Sequence, residues 1–180
     1  MNSHDQDIAA SLREWLTGRV CIVGVGNRQR GDDGTGPRLI DAKPSGAPGV
    51  WLDTGVTPEN FLEPLVRTNP NTILIVDAVA FDGLPGECRL LDATELHSTA
   101  VSTHAGSLHI LSEYLSARTG ACIRVLAIQP QRTGASEELS QPVEKSVVEL
   151  AALLSDILTS SEVQNAKDSS KCGGISTLST

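Results

Sequence analysis

The chain has 180 residues and a formal net charge of -8, from 22 acidic and 14 basic residues. This charge argues against a nucleic-acid partner, which is held through phosphate contacts, and it suits a partner with a basic surface. Hydrophobic residues make up 39% of the chain, an ordinary share for one soluble domain. No apolar run approaches the roughly 20 residues of a membrane-spanning helix, and the amphipathic segment 1–15 does not resemble a signal peptide. We therefore expect a cytoplasmic protein with no membrane partner.

Segments of strand type alternate with segments of helical period, a pattern typical of βαβ units and a parallel sheet. The expected strands are residues 20–25, 50–53, 72–76 and 121–128, and the expected helices are residues 8–17, 36–42, 57–67, 107–117 and 139–158. Thr57 is placed to cap the third of these helices, with Pro58 at its first position. The turn-forming segment 82–86 precedes residues 87–91, whose alternation predicts an added antiparallel edge strand.

Together these elements predict an α/β three-layer sandwich with a mostly parallel central sheet of about five strands and helices on both faces. The antiparallel edge strand is counted as an addition to that sheet. We expect a single domain over residues 1–159. Residues 160–180 are rich in Ser, Thr, Gly and Lys and poor in large apolar residues, so we expect a disordered tail there.

The four cysteines are widely scattered and form no CxxC pair. Closely spaced ligand pairs are typical of zinc sites, so neither a zinc site nor a disulfide framework is indicated. Cys21, Cys88 and Cys122 lie in apolar, strand-like segments and are expected as reduced core residues. Cys172 lies in a polar segment and is expected to be exposed.

The most informative segment is residues 24–37, GVGNRQRGDDGTGP, which follows the first strand. Glycine-rich loops in that place often bind nucleotide phosphate. Gln29, however, stands where a dinucleotide fingerprint needs glycine, and the Gly-Lys-Ser/Thr ending of a phosphate loop is missing. Asp32 and Asp33 would also repel a phosphate group. An alternative interpretation is that one of these two aspartates caps the following helix.

Other ionisable side chains also follow strand ends. Asp33 follows the first strand, Asp53 and Asp77 end the second and third, and His104 precedes a helix in the sequence Ser-Thr-His-Ala-Gly. The carboxyl ends of parallel strands meet at one edge, where ligands bind in open α/β sheets. Carboxylates and an imidazole from separate elements suit nickel or zinc. Taken singly, Asp53 could form a turn, Asp77 could cap one, and His104 could serve the helix terminus.

Several motifs occur in a fixed order along the chain. Gly-Asn-x4-Asp-Asp-Gly-x-Gly follows a strand, Asp-x-Gly comes next with Pro-Glu-Asn, an apolar strand ends in Val-Asp-Ala, and Thr-His precedes a helix. In this combination the chain resembles the maturation endopeptidases of nickel-iron hydrogenases, over about residues 20–158. It resembles most the branch that processes the hydrogenase large subunit of formate hydrogenlyase, through segments 31–37, 58–60, 74–78 and 128–130.

The resemblance implies a protease that removes a C-terminal extension from the hydrogenase large-subunit precursor after nickel insertion. It implies Asp33, Asp77 and His104 as metal ligands, for nickel that the precursor supplies and the protease does not hold at rest. Asp33 and Asp77 are also the candidate catalytic bases toward water, and the sequence leaves open whether the ion or an aspartate activates that water. Supporting positions are Asn27, Asp32, Gly34, Gly36, Asp53 and Thr103. A nucleophilic mechanism through Ser102, Thr103 or a cysteine is not favoured.

Two other functional classes stay open at this point. A non-catalytic nickel-sensing assembly chaperone would use the same edge without cutting the precursor. A small-molecule hydrolase or phosphorylase would need phosphate or base contacts, against which the acidic pair argues. We expect a monomer.

One departure from the family pattern concerns residues 28–30, Arg-Gln-Arg, where the family often has apolar residues. Guanidinium groups pair with carboxylates through two parallel hydrogen bonds. Arg28 and Arg30 are therefore candidates for contacts with an acidic or C-terminal part of the precursor. The alternative is an ordinary solvated loop.

Overall fold

The computed structural model describes residues 3–92 and 105–172. Within them, five strands form one sheet in the order β2-β1-β3-β5-β4. The strands are β1 (Val20–Val25), β2 (Val50–Gly55), β3 (Thr72–Ala78), β4 (Cys88–Asp92) and β5 (Cys122–Ile128). Neighbours are parallel except β4, which runs antiparallel to β5 at the sheet edge. The predicted mostly parallel sheet with one antiparallel edge strand is confirmed.

The helices are α1 (Ser3–Trp15), α2 (Thr35–Asp41), α3 (Leu62–Arg67), α4 (Ala105–Thr119) and α5 (Gln141–Cys172), with 3-10 turns at Gly31–Gly34 and Pro58–Phe61. The third predicted helix is thus shorter than expected, because its first turn is a 3-10 turn. Within the described chain, Thr57 makes no side-chain capping hydrogen bond to that turn, contrary to its predicted role as N-cap. None of the described helices combines the length and apolar character needed to cross a bilayer.

Two apolar layers cover the two faces of the sheet. One layer joins strand residues such as Ile22 and Leu74 to helices α1, α2 and α5. The other joins the alternate residues, such as Val23 and Ile75, to helices α3 and α4. Successive side chains of a strand point to opposite faces, so strands covered on both sides must be apolar throughout. Each fully buried aliphatic side chain contributes about 1.5–3 kcal/mol, and these layers hold the sheet that positions the site.

The last helix, α5, continues well past Leu158, where the sequence predicted its end. The hydroxyl groups of Thr159, Ser160 and Ser161 each donate to the backbone carbonyl four residues earlier. Such bonds let Ser and Thr remain in a helix although both residues favour turns. The division into a domain at 1–159 and a tail at 160–180 stays a prediction, but the chain is helical as far as Cys172.

Three cysteines of the described residues lie in different environments. Cys21 is buried in β1, and burial raises the pKa of its thiol. Cys88 is partly buried in β4. Cys122 is exposed because it opens β5 at the amino edge of the sheet, so its predicted place in the core was wrong. The thiol of Cys172 lies outside the residues whose burial is described.

Candidate active site

The acidic loop, residues 26–34, lies across the carboxyl ends of β1 and β3. Glycines stand at the start of the loop and in the first turn of the following helix α2, because there is no room for a side chain at either place. A Cβ on Gly26, whose φ is +137°, would lie 1.9 Å from the carbonyl oxygen of Asp33, and one on Gly36 would lie 2.4 Å from backbone atoms of Val25 and Val76. The glycine pattern therefore packs the start of α2 directly onto two neighbouring strands.

Asp33 and Asp77 are brought to this edge by the loop and by β3. Asp33 lies in the 3-10 turn and is 3% exposed, and the backbone N–H of Asn27 approaches its Oδ2 atom at 3.2 Å. Asp77 is fully buried and follows Val76, the partner of Gly24 in the parallel pairing of β1 with β3. Two buried carboxylates from separate elements thus lie at the carboxyl ends of the central strands. Their roles as catalytic or ligand groups stay a prediction.

His104 and Thr103 fall in segment 93–104, outside the described residues. Within residues 3–92 and 105–172, no group of three or more His, Cys, Asp or Glu side chains is arranged to hold a metal ion. The three-residue ligand set therefore stays a prediction.

Asp32 has a different environment from its neighbour. It is fully buried, and its carboxylate accepts hydrogen bonds from the backbone N–H groups of Gln131, Arg132 and Ser140, at 2.6 to 2.9 Å, and from the Ser140 hydroxyl. Within the described chain, neither the 3-10 turn nor α2 has a side-chain capping hydrogen bond at its N-terminus. The capping interpretation is therefore not what the structure shows, and Asp32 joins the acidic loop to a segment far along the chain.

The side chain of Arg28 reaches from the acidic loop to α2 and β2. Its guanidinium donates to both Asp41 and Asp53, with 2.7 Å between Nη2 and Asp53 Oδ2, and to the Pro37 carbonyl at 3.3 Å. Its hydrogen bond holds the pKa of the Asp41 carboxyl below its usual value. Asp53 also accepts the N–H of Gly55 at 2.8 Å, so this network fixes the end of β2 to the acidic loop. The guanidinium of Arg28 is thus engaged in hydrogen bonds within the protein. A contact between Arg28 and the precursor stays a prediction.

The remaining supporting positions lie in the same loop. Asn27 folds the loop with its side-chain Oδ1, which accepts the N–H of Gln29 at 2.9 Å. A Cβ on Gly34 would lie 3.0 Å from the Cα of Arg28, so this glycine allows the loop to close on itself. Arg30 is exposed, and its Nε lies 3.4 Å from the carbonyl oxygen of Thr133.

Gln129 is a site-building residue that the sequence interpretation named only within the motif at 128–130. Its side-chain oxygen accepts the N–H groups of Phe81 and Gly83, at 2.8 and 3.2 Å. These bonds fix the loop that follows Asp77. A glutamine directly after a buried strand, among apolar residues, was the available signal. Ser140, which bonds to Asp32, had no comparable signal because it lies in an ordinary polar segment.

The chain is similar to hydrogenase maturation proteases. The family model described as hydrogenase maturation protease matches residues 47–157. Hydrogenase 3 maturation protease of Escherichia coli is 34% identical over 129 residues, which are 70% of this chain and 82% of that protein. Segment 24–37, with its acidic pair, precedes the residues that the family model matches.

Solved structures agree with this similarity. The crystal structure of the NiFe hydrogenase maturation protease HycI from Thermococcus kodakarensis has a TM-score of 0.74 and 31% identity, covering 83% of this chain and 99% of that one. The solution structure of the endopeptidase HycI from Escherichia coli has a TM-score of 0.66 and 28% identity, covering 77% and 90%. The resemblance drawn from the motifs is confirmed, and the chain belongs to the hydrogenase maturation protease family.

Proposed function

We propose that the protein is an endopeptidase that removes the C-terminal extension of a nickel-iron hydrogenase large-subunit precursor after nickel insertion. Membership of the maturation protease family supports peptide-bond hydrolysis on such a precursor. The observation that carries the proposal is that two buried carboxylates, Asp33 and Asp77, lie at the carboxyl ends of the central strands. Ligands bind at that edge in open α/β sheets. The enzyme acts as a monomer in the cytoplasm.

Nickel takes part as cargo of the precursor. Carboxylate oxygens and an imidazole nitrogen suit this ion, and Asp33, Asp77 and His104 would supply them. Burying two carboxylates at one edge is costly, and a divalent cation beside them would offset that cost. A precursor that already carries nickel gains a bond that the nickel-free precursor cannot form. That difference in binding free energy is the basis of the proposed selectivity.

Hydrolysis then needs a water activated beside the scissile bond. In one route, Asp33 or Asp77 accepts a proton from water while the oxygen attacks the peptide carbonyl carbon. The same proton then passes to the departing amine nitrogen as the carbon–nitrogen bond breaks. In the other route, the precursor's nickel polarises the carbonyl oxygen. The two routes make the same products, and both need the acidic edge intact.

The test is a mass measurement on the precursor. Incubation with the nickel-loaded precursor is expected to release a short C-terminal peptide, whereas the nickel-free precursor stays whole. Asp33→Asn should abolish the release. Asp156→Asn, at an exposed position of α5, is the matched control and should cleave like the wild type. Stable binding of the loaded precursor without release would contradict the protease function and favour the nickel-sensing chaperone.

A further inference from the structure

Two loops beside the site are joined along their backbones. Residues 29–32 and residues 131–136, here called the paired loops, share three backbone–backbone hydrogen bonds. The Gly31 N–H donates to the Ser136 carbonyl at 2.7 Å, the Ser136 N–H donates to the Gln29 carbonyl at 3.0 Å, and the Asp32 N–H donates to the Arg132 carbonyl at 2.9 Å. The second loop is thereby held next to the acidic pair.

The buried side chain of Asp32 holds the two paired loops together. A carboxylate that is fully buried loses its hydration, and it remains charged at low cost only when several donors replace the water. Three backbone N–H groups and the Ser140 hydroxyl do so here, and all four belong to residues 131–140. Displacing that segment would leave a buried charge without donors. The paired loops are therefore a rigid platform.

The platform carries two exposed guanidinium groups, on Arg30 and Arg132. Arg30 donates to the second loop through Nε, and the Cγ of Arg132 would lie 3.7 Å from a Cβ built on Gly31. The two side chains therefore start from opposite sides of the junction between the loops. In the described parts of the chain neither has a carboxylate within ion-pair distance, unlike Arg28.

Among the described residues, neither guanidinium forms an ion pair with the acidic residues that follow the second loop. Glu137 and Glu138 line a separate groove of about 620 Å³, together with Arg38 and Asp41, between α2 and α5. Arg30 and Arg132 thus present two guanidinium groups that have no carboxylate partner among the described residues, in a chain whose net charge is -8.

We propose that Arg30 and Arg132 form a carboxylate-binding pair that docks an acidic segment of the precursor beside the protease site, with Asp32 as the positioning residue. The inference rests on the proposed function, which supplies the precursor as the partner. Guanidinium groups hold carboxylates through paired hydrogen bonds, and a platform fixed in advance lowers the ordering cost of docking. The net negative charge elsewhere repels an acidic segment, so the pair also sets its orientation.

Docking through carboxylates does not need nickel, so it is tested on the nickel-free precursor. We measure the binding of that precursor to the wild-type protein by fluorescence anisotropy. The affinity should fall as salt is added. The double variant Arg30→Glu/Arg132→Glu should raise Kd about tenfold or more, because each contact becomes a repulsion. Arg19→Glu is the matched control: Arg19 is also exposed, and its Nε bonds a backbone carbonyl at the amino edge of the sheet. Its Kd should stay within about twofold of the wild type.

Equal Kd values for the wild type and the double variant would overturn the proposal, and so would the absence of salt-sensitive binding by the wild type. Cleavage of the nickel-loaded precursor is measured in parallel. Equal cleavage by the wild type and the double variant would reject the docking pair but leave the protease function standing. Arginine-dependent binding with no cleavage rejects the protease function alone.

The positioning role of Asp32 has its own readout. Ser140→Ala removes one of the four donors, and Asp32→Asn replaces the buried charge with an amide. Both should speed amide hydrogen exchange at residues 131, 132 and 140 and raise the KM for cleavage more than they lower kcat. Ser146→Ala, which breaks a hydroxyl bond to the Gly86 carbonyl elsewhere, is the control. Faster exchange with unchanged KM would show that Asp32 is structural only.

Discussion

The amino and carboxyl ends of the strands differ in the side chains that hydrogen-bond to the backbone there. At the amino edge, backbone groups are satisfied by neutral side chains: Asn71 accepts the N–H of Arg19 at 2.9 Å, and the Thr72 hydroxyl donates to the Thr17 carbonyl at 2.7 Å. At the carboxyl edge, buried carboxylates occupy the corresponding places. A buried charge is a costly way to close a loop, so the choice of carboxylates indicates a function at that edge.

A cavity by itself does not supply chemistry. A cavity of about 410 Å³ opens at the amino edge, where its lining includes Arg19, Cys21, Thr68 and Leu158. Among the described residues, Arg19 supplies the only charged side chain of that lining. The chemistry at the carboxyl edge comes from which side chains converge there, and the amino edge offers volume without such convergence.

The largest expected effect is the loss of cleavage when the charge at the carboxyl end of β3 is removed. Asp77→Asn keeps the shape of the side chain but removes the charge from the carboxyl end of β3. Cleavage of the nickel-loaded precursor should fall by about 10²–10⁴-fold or more, the range for loss of a general base. Release of the C-terminal peptide is measured by mass spectrometry, with circular dichroism to check folding. A well-folded variant that cleaves at the wild-type rate would remove Asp77 from the proposed mechanism.

A second prediction tests why the carboxyl edge requires glycine. Gly36→Ala places a methyl group 2.4 Å from the backbone of both β1 and β3. We expect destabilisation of about 3 kcal/mol or more, since backbone atoms cannot move aside as a side chain can. Denaturant unfolding measures this change. Gly134→Ala, where nothing lies within 4 Å of the added Cβ, is the control. Similar stabilities for the two variants would show that the close approach is not needed.

The third prediction uses the other end of β3. Thr72→Val preserves shape but removes the hydroxyl that donates to Thr17. Stability should fall by about 1 kcal/mol, the usual value of one hydrogen bond, while cleavage per folded molecule stays unchanged. Chemical unfolding and the peptide-release assay are run on the same sample. A loss of cleavage out of proportion to stability would mean that the two ends of β3 are coupled.

The smallest expected effect concerns the surface network of Arg28. The pKa of Asp41 is lowered in the folded protein, chiefly by its hydrogen bond to Arg28. Its stabilisation is therefore complete above the unfolded-state pKa of about 3.9 and is lost as pH falls through the lower folded value. Asp41→Asn should cost no more than about 1 kcal/mol at neutral pH, because the Asp41 side chain is 52% exposed and the pair is screened. Unfolding curves for both proteins should converge below about pH 4. A difference that grows toward acid would contradict this account.

Local patterns were sufficient to predict much of the fold. Runs such as Thr-Ile-Leu-Ile-Val in β3 are buried on both faces, and this makes a parallel strand recognisable without its partners. The antiparallel β4 was predicted from its alternation after a turn, in which Cys88 and Leu90 pack against one apolar layer and the exposed Arg89 stands between them. Helix ends were less accurate, because the 3-10 turn after Thr57 and the continuation of α5 depend on hydrogen bonds that the residue pattern does not specify.

Within the candidate site, the sequence alone determined which chemical groups stand at the ends of β1, β2 and β3, because a residue next to a buried strand has its place set by that strand. It also placed glycines where the backbone approaches closely. Only the tertiary structure decided that Asp32 bonds to residues 131–140, that Arg28 is held by Asp41 and Asp53, and that Arg30 lies beside the second loop. The bonds from Asp32 join residues 99 to 108 positions apart, and a contact of that separation leaves no periodic trace in the sequence because neither partner constrains the residues around the other.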